Sequence, residues 1–340
     1  MPEIRIDPLS GHKTIIAGER SERPGGAPGC EPPESIDIAR DPFAEGHEDR
    51  TPPELYALRP GGEAGGAQVG GTPNTPGWKV RVVPNLYPAL TPAGEAGAPE
   101  RGAEGRGQPE LFSSRPATGA HEVIVNGPQP VLSLADLPVE QVSAAIEVWR
   151  ERMRAHAASS YVQLIVNERR EAGASLPHTH AQLYALDFVP AEVARERERF
   201  GAYATRTMGQ NLLGDLVAEE VRLRERIVAI DEEAVLMAPY GSRMPFQLML
   251  APRRPVMRFE QDGPIGAKLL HDGLRRLARH LGSSPPLNLF VRTAPLGAEH
   301  FCWRIDVLPR LTHLAGLELS TGVNLNIVAP EHAAALLREA

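Results

Sequence analysis

The stretch His178-Thr179-His180-Ala181-Gln182-Leu183-Tyr184-Ala185-Leu186 decides how the chain is read. From His180 to Leu186 it predicts a strand, and successive strand residues face opposite sides. His178, His180 and Gln182 therefore share one face, with Thr179 and Ala181 on the other. Two imidazoles and an amide on one face are expensive in a core and useful in a site. A neutral imidazole is a good nucleophile near pH 7, and the hydrogen bond at one ring nitrogen decides which nitrogen is free. An amide two positions on can donate to a phosphoryl oxygen without adding charge. Just before, Gly173-Ala174-Ser175-Leu176-Pro177 is rich in small residues, so backbone N–H groups can approach a phosphate. From spacing alone, two hydrogen-bonded structural histidines or a metal site stand on equal terms with a catalytic pair.

Three more strands precede this one: Lys79-Val80-Arg81-Val82-Val83-Pro84, His121-Glu122-Val123-Ile124-Val125, and residues 161–166. Between the last two, residues 137–158 predict a helix. Val142, Ile146, Trp149 and Met153 recur there at spacings of three and four, with Asp136 or Ser133 as cap. Downstream, 191–230 predicts a long helical region broken near Gly209, whose charged run 195–199 reads as a solvated face. Residues 234–240, 246–252, 265–281, 287–291 and 301–308 then repeat the order strand, strand, helix, strand, strand. The connections before each helix are too short for parallel crossovers. The expected fold is therefore α+β, two related repeats forming an antiparallel sheet with helices packed on one side. The catalytic repeat is expected over 1–230 and a degenerate one over 231–340. There the line His178, His180, Gln182 becomes His300, Cys302, Arg304, so one reaction centre per chain is expected.

Composition narrows the function. The 340 residues carry 36 Lys and Arg against 43 Asp and Glu, a net charge of −7 with no basic arm, which argues against a nucleic-acid partner. Two cysteines, Cys30 and Cys302, make no disulfide framework and point to a reducing compartment. Residues 1–5 lack the apolar core of a signal peptide, and no stretch reaches the ~20 apolar residues of a membrane span. A cytoplasmic protein is the expectation. Gly and Pro concentrate at 21–34, 59–77 and 91–120, and mobile insertions are expected near 59–77 and 91–120.

Several ordered motifs add a family. They are Arg20-Ser21-Glu22-Arg23-Pro24, residues 45–54 from Glu45-Gly46-His47 to Glu54, and Val83-Pro84-Asn85-Leu86-Tyr87-Pro88. Asn167 with Gly173-Ala174-Ser175, His178-Thr179-His180-Ala181-Gln182, and Leu308-Pro309-Arg310-Leu311-Thr312 complete the set. With them the chain resembles the galactose-1-phosphate uridylyltransferase family of the histidine-triad superfamily, especially its ADP-glucose phosphorylase-like branch. The resemblance implies two histidine-triad-like repeats, a homodimer and a ping-pong reaction. In it the histidine matching His180 attacks the α-phosphorus of a nucleotide-sugar and releases sugar 1-phosphate, and a second phosphate collects the nucleotidyl group. Gln182 matches the glutamine that stabilises the intermediate; His178, on the same expected face, is a neighbour that can support the site. Arg20 and Arg23 match residues near the phosphates; Asn85, Asn167, Gly173 and Ser175 match the nucleotide lining.

The implied activity is hexose-1-phosphate uridylyl transfer, with ADP-glucose phosphorolysis as the first alternative and a catalytically silent nucleotide-binding protein as the second. No cofactor is required for the chemistry. Family members commonly hold a structural zinc through Cys-x-x-Cys and two histidines. Here that motif reads Asp41-Pro42-Phe43-Ala44, while the histidines match His121 and His178, with His47 as a conceivable fourth ligand. Asp41, His121 and His178 would hold zinc weakly. The expectation is that the metal is absent and that Asp41 accepts hydrogen bonds in its place. A second, iron-type site has its histidine pair replaced by Arg304 and Asp306.

Overall fold

The structure is a computed structural model and describes residues 1–22, 30–61, 71–92, 94, 111–112 and 114–340. Strands β1 (Glu3–Ile6), β2 (Lys13–Ile16), β3 (Tyr56–Leu58), β4 (Val80–Pro84) and β5 (Gly119–Val125) lead to helix α1 (Val139–Ala155). Strands β6 (Tyr161–Glu168) and β7 (His180–Leu186) follow, then helices α2 (Ala191–Arg206) and α3 (Leu212–Leu223). The second half runs β8 (Ile227–Ile230), β9 (Ala234–Met237), β10 (Leu248–Pro252), α4 (Ala267–Leu281), β11 (Leu287–Arg292) and β12 (Arg304–Pro309). Helix α5 (Gly316–Thr321), β13 (Asn324–Asn326) and α6 (Pro330–Glu339) come last.

Ten strands form one sheet in the order β3-β4-β5-β7-β6-β11-β12-β10-β9-β8. Each half repeats the same internal order, β3-β4-β5-β7-β6 against β8-β9-β10-β12-β11. The halves join where β6 and β11 pair antiparallel, with Asn167 opposite Asn288. Strands β1, β2 and β13 make a separate three-stranded sheet. The fold is thus α+β with a large antiparallel sheet.

Alternation along the strands decides what each face meets. Val80, Val82, Ile124, Val162, Leu164, Val166, Ala181, Leu183 and Ala185 turn to one face, against Val142, Ile146, Trp149 and Met153 of α1. Leu236, Leu248, Leu250, Leu289, Ile305 and Val307 continue that layer under α4 and α6, so one apolar core runs through both halves. On the opposite face, Val235, Met237, Met249 and Ala251 meet Phe200 of α2 and Leu213 and Val217 of α3. That is why β9 is buried at every position.

Some local expectations are corrected. Residues 227–230 form a strand, not the end of a helix: Arg224 takes φ 58, which stops α3, and Ile227, Ala229 and Ile230 then pair with β9. Ser133 caps a 3-10 turn over Leu134–Asp136, and α1 starts after Pro138. Most of the two expected insertions, residues 62–70, 93, 95–110 and 113, lies outside the described residues. The stems of the second are tied together by Thr91 N–H donating to Ala117 O at 2.9 Å and Gly119 N–H to Thr91 O at 2.9 Å. Among the described residues no helix is long and apolar enough to cross a membrane.

Candidate active site

Strand β7 sends Ala181, Leu183 and Ala185 into the helix-covered core, so His180, Gln182 and Tyr184 face the other way. Across the ladder, β5 places Val125 opposite His180, Val123 opposite Gln182 and His121 opposite Tyr184. Phe43, Ala57, Trp78, Val83, Val123 and Val125 build a small apolar wall beside them.

His180 is 4% exposed, and its Nδ1 lies 2.8 Å from the carbonyl oxygen of His178. A carbonyl only accepts, so Nδ1 carries the proton and Nε2 keeps the lone pair. Burial pushes the His180 pKa below its ordinary value, which keeps the ring neutral. The Phe43 ring sits 5.1 Å from it, centroid to centroid. The backbone carrying both histidines is fixed by Thr179, whose N–H donates to Val131 O at 2.8 Å. Asn126 Nδ2 donates to Thr179 Oγ1 at 3.2 Å, and Trp149 Nε1 donates to Asn126 Oδ1 at 3.0 Å.

Gln182 Oε1 is 2.9 Å from the Tyr184 hydroxyl and 3.0 Å from His121 Nε2. The Tyr184 and His121 rings stack with centroids 4.0 Å apart. Asn85 joins this group: its Nδ2 lies 3.1 Å from His121 Nε2, and its Oδ1 accepts from Tyr87 N–H at 2.9 Å.

The zinc implied by the resemblance does not fit these residues. His178 is 0% exposed, and both ring nitrogens face acceptors, Asp41 Oδ2 at 2.7 Å and Gly127 O at 2.8 Å. No ring lone pair is left to bind a metal. The remaining Asp41 oxygen accepts from Phe43 N–H at 2.9 Å, and His47 Nδ1 is engaged with Asp41 O at 2.7 Å. His121 turns to Gln182 instead. Among the described residues no three His, Cys, Asp or Glu side chains converge in a metal-binding group.

The remaining candidates divide. Asn167 ends β6 with its Oδ1 accepting from Asn288 Nδ2 at 2.8 Å, and Asn288 Nδ2 also donates to Ala172 O at 2.7 Å. Gly173 has φ 92, a left-handed turn that glycine adopts without strain, and it directs the loop toward Ser175. Ser175 is exposed and shares a cleft with Arg169, Arg170 and Glu31. Arg20 is exposed on the turn Gly18–Glu22, and among the described residues it makes no hydrogen bond or ion pair to the His178–Gln182 face. Arg23 lies outside the described residues.

Sequence reading missed Tyr184, Phe43, Gly127 and Arg169. Tyr184 was within reach, because it continues the alternation of His180 and Gln182. Arg169 holds φ 68 and ψ 159, a region costly for any residue but glycine. Its guanidinium fixes it there by donating to Glu31 O at 2.9 Å and Ser284 O at 3.2 Å.

The second half holds no counterpart to His180 on this line. Cys302 is fully buried, and burial pushes its thiol up to about 12. Arg304 donates through both terminal nitrogens to Glu196 at 3.0 and 2.9 Å and through Nε to Asp306 at 2.9 Å. Glu196 is therefore an exception to the solvated face expected over 195–199. It is buried, while Arg195, Arg197 and Glu198 are exposed.

Comparison with known proteins gives the family. Residues 2–190 match the family described as galactose-1-phosphate uridyl transferase, N-terminal domain, and residues 137–339 match a domain of unknown function. The ADP-glucose phosphorylase of Arabidopsis thaliana is 27% identical over 99% of this chain and 93% of its own length. A galactose-1-phosphate uridylyltransferase of Cryptococcus neoformans is 27% identical over 98% of this chain and 89% of its own length. The crystal structure of the Arabidopsis ADP-glucose phosphorylase with bound ADP-glucose superposes with a TM-score of 0.78 at 26% identity, covering 100% of this chain and 99% of that one. The chain belongs to the galactose-1-phosphate uridylyltransferase family of nucleotidyltransferases.

Proposed function

We propose that this enzyme moves a nucleoside monophosphate from a nucleotide-sugar to an acceptor phosphate through a covalent bond to His180. The observation that carries the reading is the His180 tautomer: Nδ1–H is spent on the His178 carbonyl, so the lone pair is on Nε2. In the first half-reaction Nε2 attacks the α-phosphorus. The bond from that phosphorus to the bridging oxygen breaks, and sugar 1-phosphate leaves with the electron pair. The imidazole then holds the nucleotidyl group, with Nδ1–H still donated to the His178 carbonyl. In the second half-reaction an acceptor phosphate oxygen attacks the same phosphorus, and the P–N bond returns its electrons to Nε2. The Gln182 amide donates to the non-bridging oxygens as charge builds on them. Asn85, Asn167, Gly173 and Ser175 line the nucleotide.

For the donor and acceptor we favour ADP-glucose and inorganic phosphate. Support comes from similarity to an ADP-glucose phosphorylase along nearly the whole of both chains, in sequence and in structure. Hexose-1-phosphate uridylyl transfer is the second reading, supported by the uridylyltransferase relative.

The test is incubation with ADP-, UDP- and GDP-sugars without acceptor, read by intact mass. One nucleoside monophosphate should add, stable to base and labile to acid, and then discharge onto phosphate or a sugar 1-phosphate. His180→Ala should abolish adduct and turnover, and Gln182→Ala should slow turnover by roughly 10²–10³-fold. An adduct on His178, normal turnover in His180→Ala, or binding without turnover across the panel overturns the proposal.

A further inference from the structure

The amide of Gln182 is clamped from its oxygen side, and the direction of the clamp follows from one backbone donor. His121 Nδ1 lies 3.1 Å from the backbone nitrogen of Ala89. A backbone N–H can only donate, so Nδ1 bears the lone pair and the proton of the neutral ring sits on Nε2. The Gln182 atom that this Nε2–H meets at 3.0 Å is therefore the amide oxygen, which fixes the sense of the amide. Asn85 Nδ2, 3.1 Å from the same Nε2, is a donor facing a donor, and that contact is no hydrogen bond. The Tyr184 hydroxyl donates to the second lone pair of Gln182 Oε1 at 2.9 Å. Both acceptor positions of the amide are then filled, and its two N–H groups have no hydrogen-bond partner among the described residues.

We infer that His121 and Tyr184 are positioning residues that lock Gln182 with its N–H groups, rather than its oxygen, toward the phosphoryl oxygens at His180. The inference rests on the nucleotidyl-transfer reading. It gives His121 a task in place of the zinc ligation that the resemblance implies. An unheld amide presents oxygen as readily as nitrogen, and an oxygen turned to a phosphoryl oxygen repels it. The stacked His121 and Tyr184 rings, 4.0 Å apart, brace each other so that both donors converge on one atom. The cross-strand geometry permits this, since His121 pairs with Tyr184 and reaches Gln182 one step along the diagonal.

The test is a double-mutant cycle on kcat and KM. Tyr184→Phe should lower kcat about 10-fold and His121→Leu at least as much, with KM nearly unchanged, because the lost interaction belongs to the transition state. His121→Gln, which places an amide N–H near the Nε2 position, should recover most of that loss. In a Gln182→Ala background neither Tyr184→Phe nor His121→Leu should cost anything further. Losses that persist undiminished in that background overturn the inference. The His121 tautomer gives a readout independent of turnover. A long-range ¹H–¹⁵N spectrum, assigned by the signals lost in His121→Gln, should show the proton on Nε2; a proton on Nδ1 overturns the inference. If the wild-type protein forms no nucleotidyl adduct, the transfer reading fails while the tautomer still decides this one.

Discussion

At the residue scale, Asp41, Phe43 and His178 build a corner held by hydrogen bonds and ring contacts where the resemblance implies a zinc site. The His178 ring is clamped at both nitrogens, 2.7 Å from Asp41 Oδ2 and 2.8 Å from Gly127 O, and Phe43 fills the space against both histidine rings. Asp41→Ala strands a buried donor and should cost about 3–5 kcal/mol, the scale for breaking a buried pair from one side. Prolonged treatment with a chelator should leave the melting temperature unchanged, and elemental analysis of tag-free protein should find zinc well below one per chain. A large fall in melting temperature on chelation would show that metal holds this corner. Of this corner and its strand, the shared face of His180 and Gln182 was legible in the sequence because strand alternation is local, whereas His178 lies before the strand begins. The partners were not: Asp41 lies 137 residues before His178, and Gly127 contributes only a carbonyl, which no residue type advertises.

At the element scale, strand length and alternation made β7 readable to the residue, whereas β1, β2 and β13 are too short to carry a pattern. The end of the long helical region was misread because helix termination rests on the backbone of Arg224, a residue whose side chain favours helix. One link between elements has a pH dependence. Glu168, the last residue of β6, accepts from Ser133 Oγ at 2.6 Å and from Leu134 N–H at 2.7 Å, joining β6 to the turn before α1. Burial outweighs these two donors and pushes its carboxyl up to about 7 from 4.5. A raised carboxyl favours the fold fully below pH ~4.5, and that contribution is lost as pH rises through about 7. Glu168→Gln keeps both links, with its amide N–H donating to Ser133 Oγ and its oxygen accepting from Leu134. The variant should therefore match wild type near pH 4.5 and exceed it by about 3 kcal/mol at pH 8. Denaturant melts at the two pH values check this, and parallel behaviour of both proteins would refute it.

At the scale of the whole molecule, the open question is whether the two repeats are units of folding or only of topology. The repeated order of strands was legible because each half keeps its own succession of apolar runs. What joins the halves was not legible, since β6 and β11 carry no signal that they are neighbours. The structure makes that junction the middle of a continuous ladder. A cut after residue 230 leaves β6 as a bare edge with Leu164 and Val166 beneath it, and separates α1 from α4 in a single shared core. It also strands β8, which pairs only with β9 among the described strands, on the wrong fragment. Two independent domains would each need a closed core, and neither half has one. The full chain should therefore unfold in one calorimetric transition, with calorimetric and van't Hoff enthalpies agreeing. Fragment 1–230 expressed alone should lack a cooperative melt, and mixing it with fragment 231–340 should restore one together with turnover. Two resolved transitions in the full chain, or a sharply melting 1–230 fragment that forms the His180 adduct, would show that the repeats fold separately.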